Sequence, residues 1–360
     1  MHPSRRSART SIWPLTSLIL AAASSAFPAT ITDLGTLGGP CAGALGINNA
    51  GQVVGYSCNT TDAVNNHAFL YSGGSMTDLG VLTGNTSTAF GINDAGQVVG
   101  VWRTADNQQG VFLYSAGTMR DLGIPYSDAR AINASGQIAG SMPSGNTDVA
   151  FLWYQGTVSS LGTLGGASSL AEGINDFGDV VGFSTTAGGL QHAFLYSGGS
   201  MIDLGTLGGS VSLANSVNNA GQVVGWSSIK GGTNHHAFLY SGGKMADLGT
   251  LGGFYSTATG INTSGQIVGF SGVKGSSNVD AFLYSAGVMV DLNSFLPPNS
   301  QWHLAEAYGI NDSGLVVGIG DVNGTARAFL LDTTPEPSSI SLFGLGTAAL
   351  LYLRHRRQRR

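Results

Sequence analysis

The feature that most constrains this chain is its own repetition. A segment reading Gly-Ile-Asn-x-x-Gly-Gln-Val-Val-Gly or a close variant occurs seven times, followed by a varied stretch and then, in the first six units, by His-Ala-Phe-Leu-Tyr-Ser-Gly-Gly-x-Met-x-Asp-Leu-Gly or a variant of it, and in the seventh by Ala-Phe-Leu alone. The Asn falls at Asn48, Asn93, Asn133, Asn175, Asn218, Asn262 and Asn311, with steps of 45, 40, 42, 43, 44 and 49 residues. The Phe of the second segment falls at Phe69, Phe112, Phe151, Phe194, Phe238, Phe282 and Phe329, each followed by Leu. Residues 67–80 and 192–205 differ only at Thr77 and Ile202. A unit this short cannot bury its apolar face alone, so its neighbours must stack on it.

Each unit carries four short strand signals, A to D. In the first they lie near Ala44–Asn48, Gln52–Ser57, Ala68–Ser72 and Met76–Leu79. The A–B link, Asn-x-x-Gly, has the residues of a hairpin turn with Gly at a left-handed position, and Ser-Gly-Gly or Ser-Ala-Gly makes the C–D link. Strands B and C hold consecutive apolar residues, Val-Val and Ala-Phe-Leu-Tyr, which predicts burial on both faces. Four strands in a unit of this size suggest a propeller blade. The ends of the array support a ring. The seventh unit lacks its own D strand, and the array opens on an orphan one at Ile31–Gly35. The expected fold is therefore an all-β, seven-bladed propeller of four-stranded blades closed by the N-terminal strand. An open β-solenoid is the alternative, but it leaves unpaired edges.

The His-Ala-Phe at 67–69, 192–194 and 236–238 gives these units their resemblance to the HAF extracellular repeat family, over nearly all of residues 31–332. The resemblance implies an extracellular protein and carries no activity with it. Composition agrees with short strands and tight turns: 56 glycines, 42% hydrophobic residues and only 10% charged ones. Between residues 30 and 334 seven basic residues face nineteen acidic ones, which disfavours nucleic acid as a partner.

The ends point to export. Residues 1–26 read as a signal peptide, with Arg5, Arg6 and Arg9 ahead of an apolar run and small residues at Ser24-Ser25-Ala26. Cleavage after Ala29 is a second possibility. At the other end a linker, 333–339, holds Pro335-Glu336-Pro337. An apolar segment, 340–353, follows as a short transmembrane helix, and a basic tail, 354–360, should stay cytoplasmic. Motif, helix and arginine cluster in this order resemble the PEP-CTERM sorting signal. That resemblance implies recognition by an exosortase, a membrane transpeptidase-like partner, with processing near Pro335, Glu336 and Pro337. It further implies a passing inner-membrane intermediate, delivery to the cell surface or medium, and an exopolysaccharide-producing, biofilm-forming setting. Whether the mature form is anchored or released stays open.

Few side chains suggest chemistry. The Asp of Asp-Leu-Gly recurs at Asp33, Asp78, Asp121, Asp203, Asp247 and Asp291, with Ser160 in its place once. Spread around a ring, these cannot form one metal site, and turn capping is their expected role. His67, His192, His235 and His236 are separated in the same way. No metal, no other cofactor and no catalytic constellation is expected. Cys41 and Cys58 face each other across the first A–B hairpin if Asn48 and Gly51 bracket its turn, which predicts a disulfide suited to an exported protein. The B–C links, such as Cys58–Asn66 and Trp226–His235, vary most in sequence and share one face, where binding is expected. Trp102 and Trp226 open two of them, as stacking surfaces for sugar rings or, the favoured role for both, as packing between blades. The expected function is a non-enzymatic surface protein that binds or scaffolds exopolysaccharide or another surface protein. A propeller enzyme acting on polysaccharide is the alternative, along with a purely structural surface-layer component.

Overall fold

The structure is a computed structural model that describes residues 29–59, 65–232 and 234–333. The signal segment, the Pro335-Glu336-Pro337 motif, the apolar segment and the basic tail lie outside the described residues. Among the described residues no helix is long and apolar enough to cross a membrane.

Seven antiparallel four-stranded sheets form the blades of a propeller. In blade one, strands A to D are Ala42–Ile47, Val53–Cys58, Asn66–Ser72 and Ser75–Gly80. The consecutive apolar residues of strands B and C explain how the blades stack. Val53 and Phe69 pack backward on Val317 and Ala328 of blade seven, while Val54 and Ala68 pack forward on Ala89, Val98 and Phe112 of blade two. The same exchange recurs around the ring, so the seven Phe side chains have no exposed surface. Burying one such side chain contributes roughly 1.5–3 kcal/mol.

The ring closes as the orphan strand requires. The last sheet takes strands A to C from Trp302–Ile310, Leu315–Val322 and Thr325–Asp332, and Thr30–Asp33 supplies its outer strand. Thr30 pairs with Asp332 and Asp33 with Phe329. Ala29 is buried, and its N–H donates to the Phe295 carbonyl at 2.9 Å, at the end of the 3-10 helix Leu292–Phe295.

Cys41 and Cys58 are joined by a disulfide, with Cα atoms 5.2 Å apart. They lie opposite each other by a route the hairpin's sequence does not display. At the turn Ile47 pairs with Val53, and the Asn48 N–H donates to the Gln52 carbonyl, one position beyond the expected register. A bulge at Leu45 then shifts the pairing back, so Ala44 faces Gly55 and Ala42 faces Ser57. The two shifts cancel at the cysteines.

Candidate functional site

That bulge is the origin of the site. It recurs in strand A of every blade, always at the residue three before the repeated Asn. The glycine that ends Gln-Val-Val-Gly makes it possible. A Cβ on Gly55, Gly100, Gly140, Gly182, Gly225, Gly269 or Gly318 would sit 1.9–2.0 Å from a backbone carbonyl oxygen of strand A. Only a residue without Cβ lets strand A approach that closely, and a bulge re-aims the side chain it carries. The alanine before each bulge, from Ala44 to Ala307, is fully buried against its neighbours.

The seven bulge residues are Leu45, Phe90, Arg130, Glu172, Asn215, Thr259 and Tyr308, and all line one central cavity of about 430 Å³. No two are alike. In a chain of near-copies, the position that faces the channel differs in every copy.

The polar members are held in place. Arg130 lies over the Phe90 ring, 4.5 Å from its centroid, with an Nε–Oε2 distance of 3.9 Å to Glu172 and an Nη2–Oδ2 distance of 3.5 Å to Asp128. Burial pushes the Glu172 carboxyl above the usual range. The Arg130 charge opposes that rise, and Asp128 adds to it. Asn215 donates to the Ala258 carbonyl at 2.7 Å, and the Thr259 hydroxyl donates to the Ala307 carbonyl at 2.7 Å. The Tyr308 hydroxyl donates to Glu306 Oε2 at 2.5 Å. Burial first, then that carboxylate, drives the Tyr308 phenol far up. The Tyr56 phenol is raised by burial and by the same Glu306.

Three residues on, just past the end of strand A, stands a different ring. Each repeated Asn donates its side-chain amide to the backbone carbonyl of the next: Asn48 to Asn93, Asn93 to Asn133, and so on at 3.0–3.2 Å. Asn311 donates to the Asn48 carbonyl at 3.1 Å and completes the circle. Each also caps its own turn, where a glycine such as Gly51 takes φ of +75°. These residues surround a second chamber of about 210 Å³ at the A–B turn end, lined in common with the first by Ile47 and its equivalents.

The other candidates fall elsewhere. The Asp-Leu-Gly aspartates accept from the N–H two residues on, as Asp78 does from Gly80 at 2.7 Å, and Ser160 does the same for Gly162. His67, His192 and His236 pair with Asp78, Asp203 and Asp247 at 2.8–2.9 Å, binding strand C to strand D at the rim. Trp102 packs into the core between blades one and two. Trp226 meets His235 with ring centroids 4.8 Å apart, and His235 meets Tyr255 of blade six at 5.4 Å. Burial, then the neighbouring His236, lowers the His235 pKa.

Residues 333–357 match the family model of the PEP-CTERM protein-sorting motif. The chain carries a PEP-CTERM sorting signal. The motif implies an exported protein, sorted by an exosortase through the membrane to the cell surface. No curated protein matches the chain. Among solved structures, a Mycobacterium tuberculosis puromycin-hydrolyzing peptidase is similar at 11% identity and a TM-score of 0.51, over 85% of this chain and 51% of that one. A Pyrococcus horikoshii acylaminoacyl peptidase is similar at 13% identity and a TM-score of 0.51, over 77% and 50%. TolB from Acinetobacter baumannii is 16% identical over 67% and 64%, with a TM-score of 0.44. The chain thus spans about half the length of the two peptidases and under two thirds of TolB, and the likeness to the peptidases is one of fold.

Proposed function

We propose that this exported PEP-CTERM protein, with its HAF-like repeats, acts by binding rather than by catalysis, in the exopolysaccharide matrix at or outside the cell surface. The observation that supports this reading is the ring of seven different side chains on seven nearly identical blades. A purely structural array has no use for a different side chain at each of the seven positions that line the channel. A binding site needs it, because a rigid scaffold carrying a few convergent polar groups fixes a ligand's orientation. The test is co-sedimentation and calorimetry of the secreted protein with exopolysaccharide from the producing cells. Association is expected, and its absence removes the reading. Loss of the exosortase should leave unprocessed chain in the inner membrane. Sequencing of the mature N-terminus should begin at Phe27, since cleavage after Ala29 would strip a buried, hydrogen-bonded residue from the clasp.

One observation favours a second reading, an enzyme acting on polysaccharide. Glu172 is a carboxyl with a raised pKa, and the Asp128 carboxylate lies near enough to raise it further, an arrangement compatible with general acid work. Release of reducing ends from the polysaccharide, abolished in Glu172→Gln, would establish it. Release that persists in the variant, or none at all, returns the protein to binding.

A further inference from the structure

The channel wall is divided, and the division points to a class of ligand. Tyr308, Leu45 and Phe90 come from blades seven, one and two, which are neighbours across the closure of the ring. They form one apolar and aromatic arc. Arg130, Glu172, Asn215 and Thr259 come from blades three to six and form a polar arc opposite. The polar arc offers both donors and acceptors, from guanidinium, carboxyl, amide and hydroxyl. A ligand that satisfies both arcs has one apolar face and an edge rich in hydroxyl groups.

Resting on the binding reading above, we propose that the channel receives one sugar ring at the end of a glycan, with its C–H face on the aromatic arc and its hydroxyl edge on the polar arc. The cavity, about 430 Å³, falls at the small end of the range for enclosed small-ligand sites of roughly 300–1,000 Å³, which suits a single ring rather than a bundle of chains. The charge of the wall narrows the class. Arg130 is the one cation among the lining residues, and Asp128 and Glu172 already face it. Glu306 stands behind Tyr308, and Asp94, Asp176 and Asp312 line the chamber at the turn end. An acidic sugar would meet this surplus of carboxylates without a free partner. The ligand is therefore a neutral sugar or a hexosamine, and uronic acids are excluded.

The experiment uses the full secreted protein in calorimetry with three sets of probes: neutral hexose oligomers, hexosamine oligomers and oligouronates. Binding of at least one of the first two sets is expected, with oligouronates at least tenfold weaker. Glu172→Gln replaces an ionisable hydrogen-bonding group by a neutral one, and about tenfold weaker binding is expected. Leu45→Trp fills the channel from a half-buried bulge and should abolish binding while the melting temperature holds. Oligouronates binding as tightly as neutral sugars overturn the ligand class. Association with exopolysaccharide that survives Leu45→Trp undiminished overturns the channel assignment and leaves the binding reading standing. A wild-type protein that ignores exopolysaccharide and every oligomer removes both.

Discussion

Asn215 on strand A of blade five and Asn218 just past its end stand three residues apart, and each gives its side-chain amide to a backbone carbonyl of blade six. Asn215 donates to Ala258 at 2.7 Å and Asn218 to Asn262 at 3.0 Å. Yet Asn218 has a copy in every blade and Asn215 has none. The difference lies in what each side chain leaves unspent. Asn218 is buried, its Oδ1 accepts from the N–H groups of Ala220 and Gln222, and its amide also meets Gln222 Oε1 at 2.8 Å. All its hydrogen-bonding capacity is used inside the frame. Asn215 sits on the half-buried bulge, with the rest of its polar group toward the cavity. Where the protein consumes a side chain, the seven copies agree; where the side chain faces open space, they diverge.

The largest effect expected is on the element that joins frame to wall. In Gly225→Ala the new Cβ would stand 1.9 Å from the Leu213 carbonyl oxygen, which is backbone and cannot swing aside. Either strand A retreats and the bulge is lost, or the pairing breaks. A loss of about 3 kcal/mol or more is expected in denaturant melts, at the upper end for overpacking. A wild-type melting curve would disconnect the glycine from the bulge.

The two asparagines can be set against each other directly. Asn218→Ala takes the acceptor from two part-buried N–H groups and one of two donors from the Asn262 carbonyl, which keeps the Gly265 N–H, at a cost of about 2–3 kcal/mol. Asn215→Ala gives up one half-buried hydrogen bond, about 1 kcal/mol or less. Equal losses in chemical denaturation would erase the distinction between frame and wall.

The frame was largely legible in the sequence. Repetition gave the blade count, the missing D strand and the orphan strand at Asp33 gave the closure, and Val-Val and Ala-Phe gave the two-sided burial. The site was not. The terminal glycine of Gln-Val-Val-Gly stands in plain view, but its reason is a clash across the strand pair that appears only once the register is known. The signal that would have found the wall was nonetheless present. In Ala-x-Gly-Ile-Asn and its variants, x is Leu, Phe, Arg, Glu, Asn, Thr and Tyr in turn. A search for what repeats passes over a single position that never does, and the longer varied B–C links drew the expectation of binding. Asn48 was read as a turn residue, because nothing local reveals that its amide also reaches the next blade.

Blade one differs from its sisters in carrying a covalent tie. Val211 and Ser228 occupy in blade five the places of Cys41 and Cys58, and there the Val211 N–H donates to Ser228 Oγ at 2.9 Å. The cysteines close a short loop, with a separation of 17 residues. Reduction should lower stability by about 2–3 kcal/mol. Mass spectrometry of the exported protein after alkylation should find both sulfurs blocked. Two alkylated thiols would mean that blade one relies on the same frame as the others.

The smallest effect distinguishes the wall by its titration. Glu172 has its carboxyl pushed up by burial, so the folded protein holds that proton more tightly than the unfolded chain. The stability this confers is fully present below the ordinary carboxylate range and is lost as pH rises through the raised value. Wild type should therefore lose stability relative to Glu172→Gln as pH rises out of the ordinary carboxylate range, with other groups cancelling in the difference. The side chain is partly exposed and Arg130 opposes the shift, so the change should stay below about 1 kcal/mol. Wild type that holds or gains stability relative to Glu172→Gln as pH rises would remove the buried proton. Asn218→Ala carries no titrating group, and its penalty should stay constant over the same rise. If both penalties move with pH, the channel wall and the asparagine ring are one coupled structure rather than two.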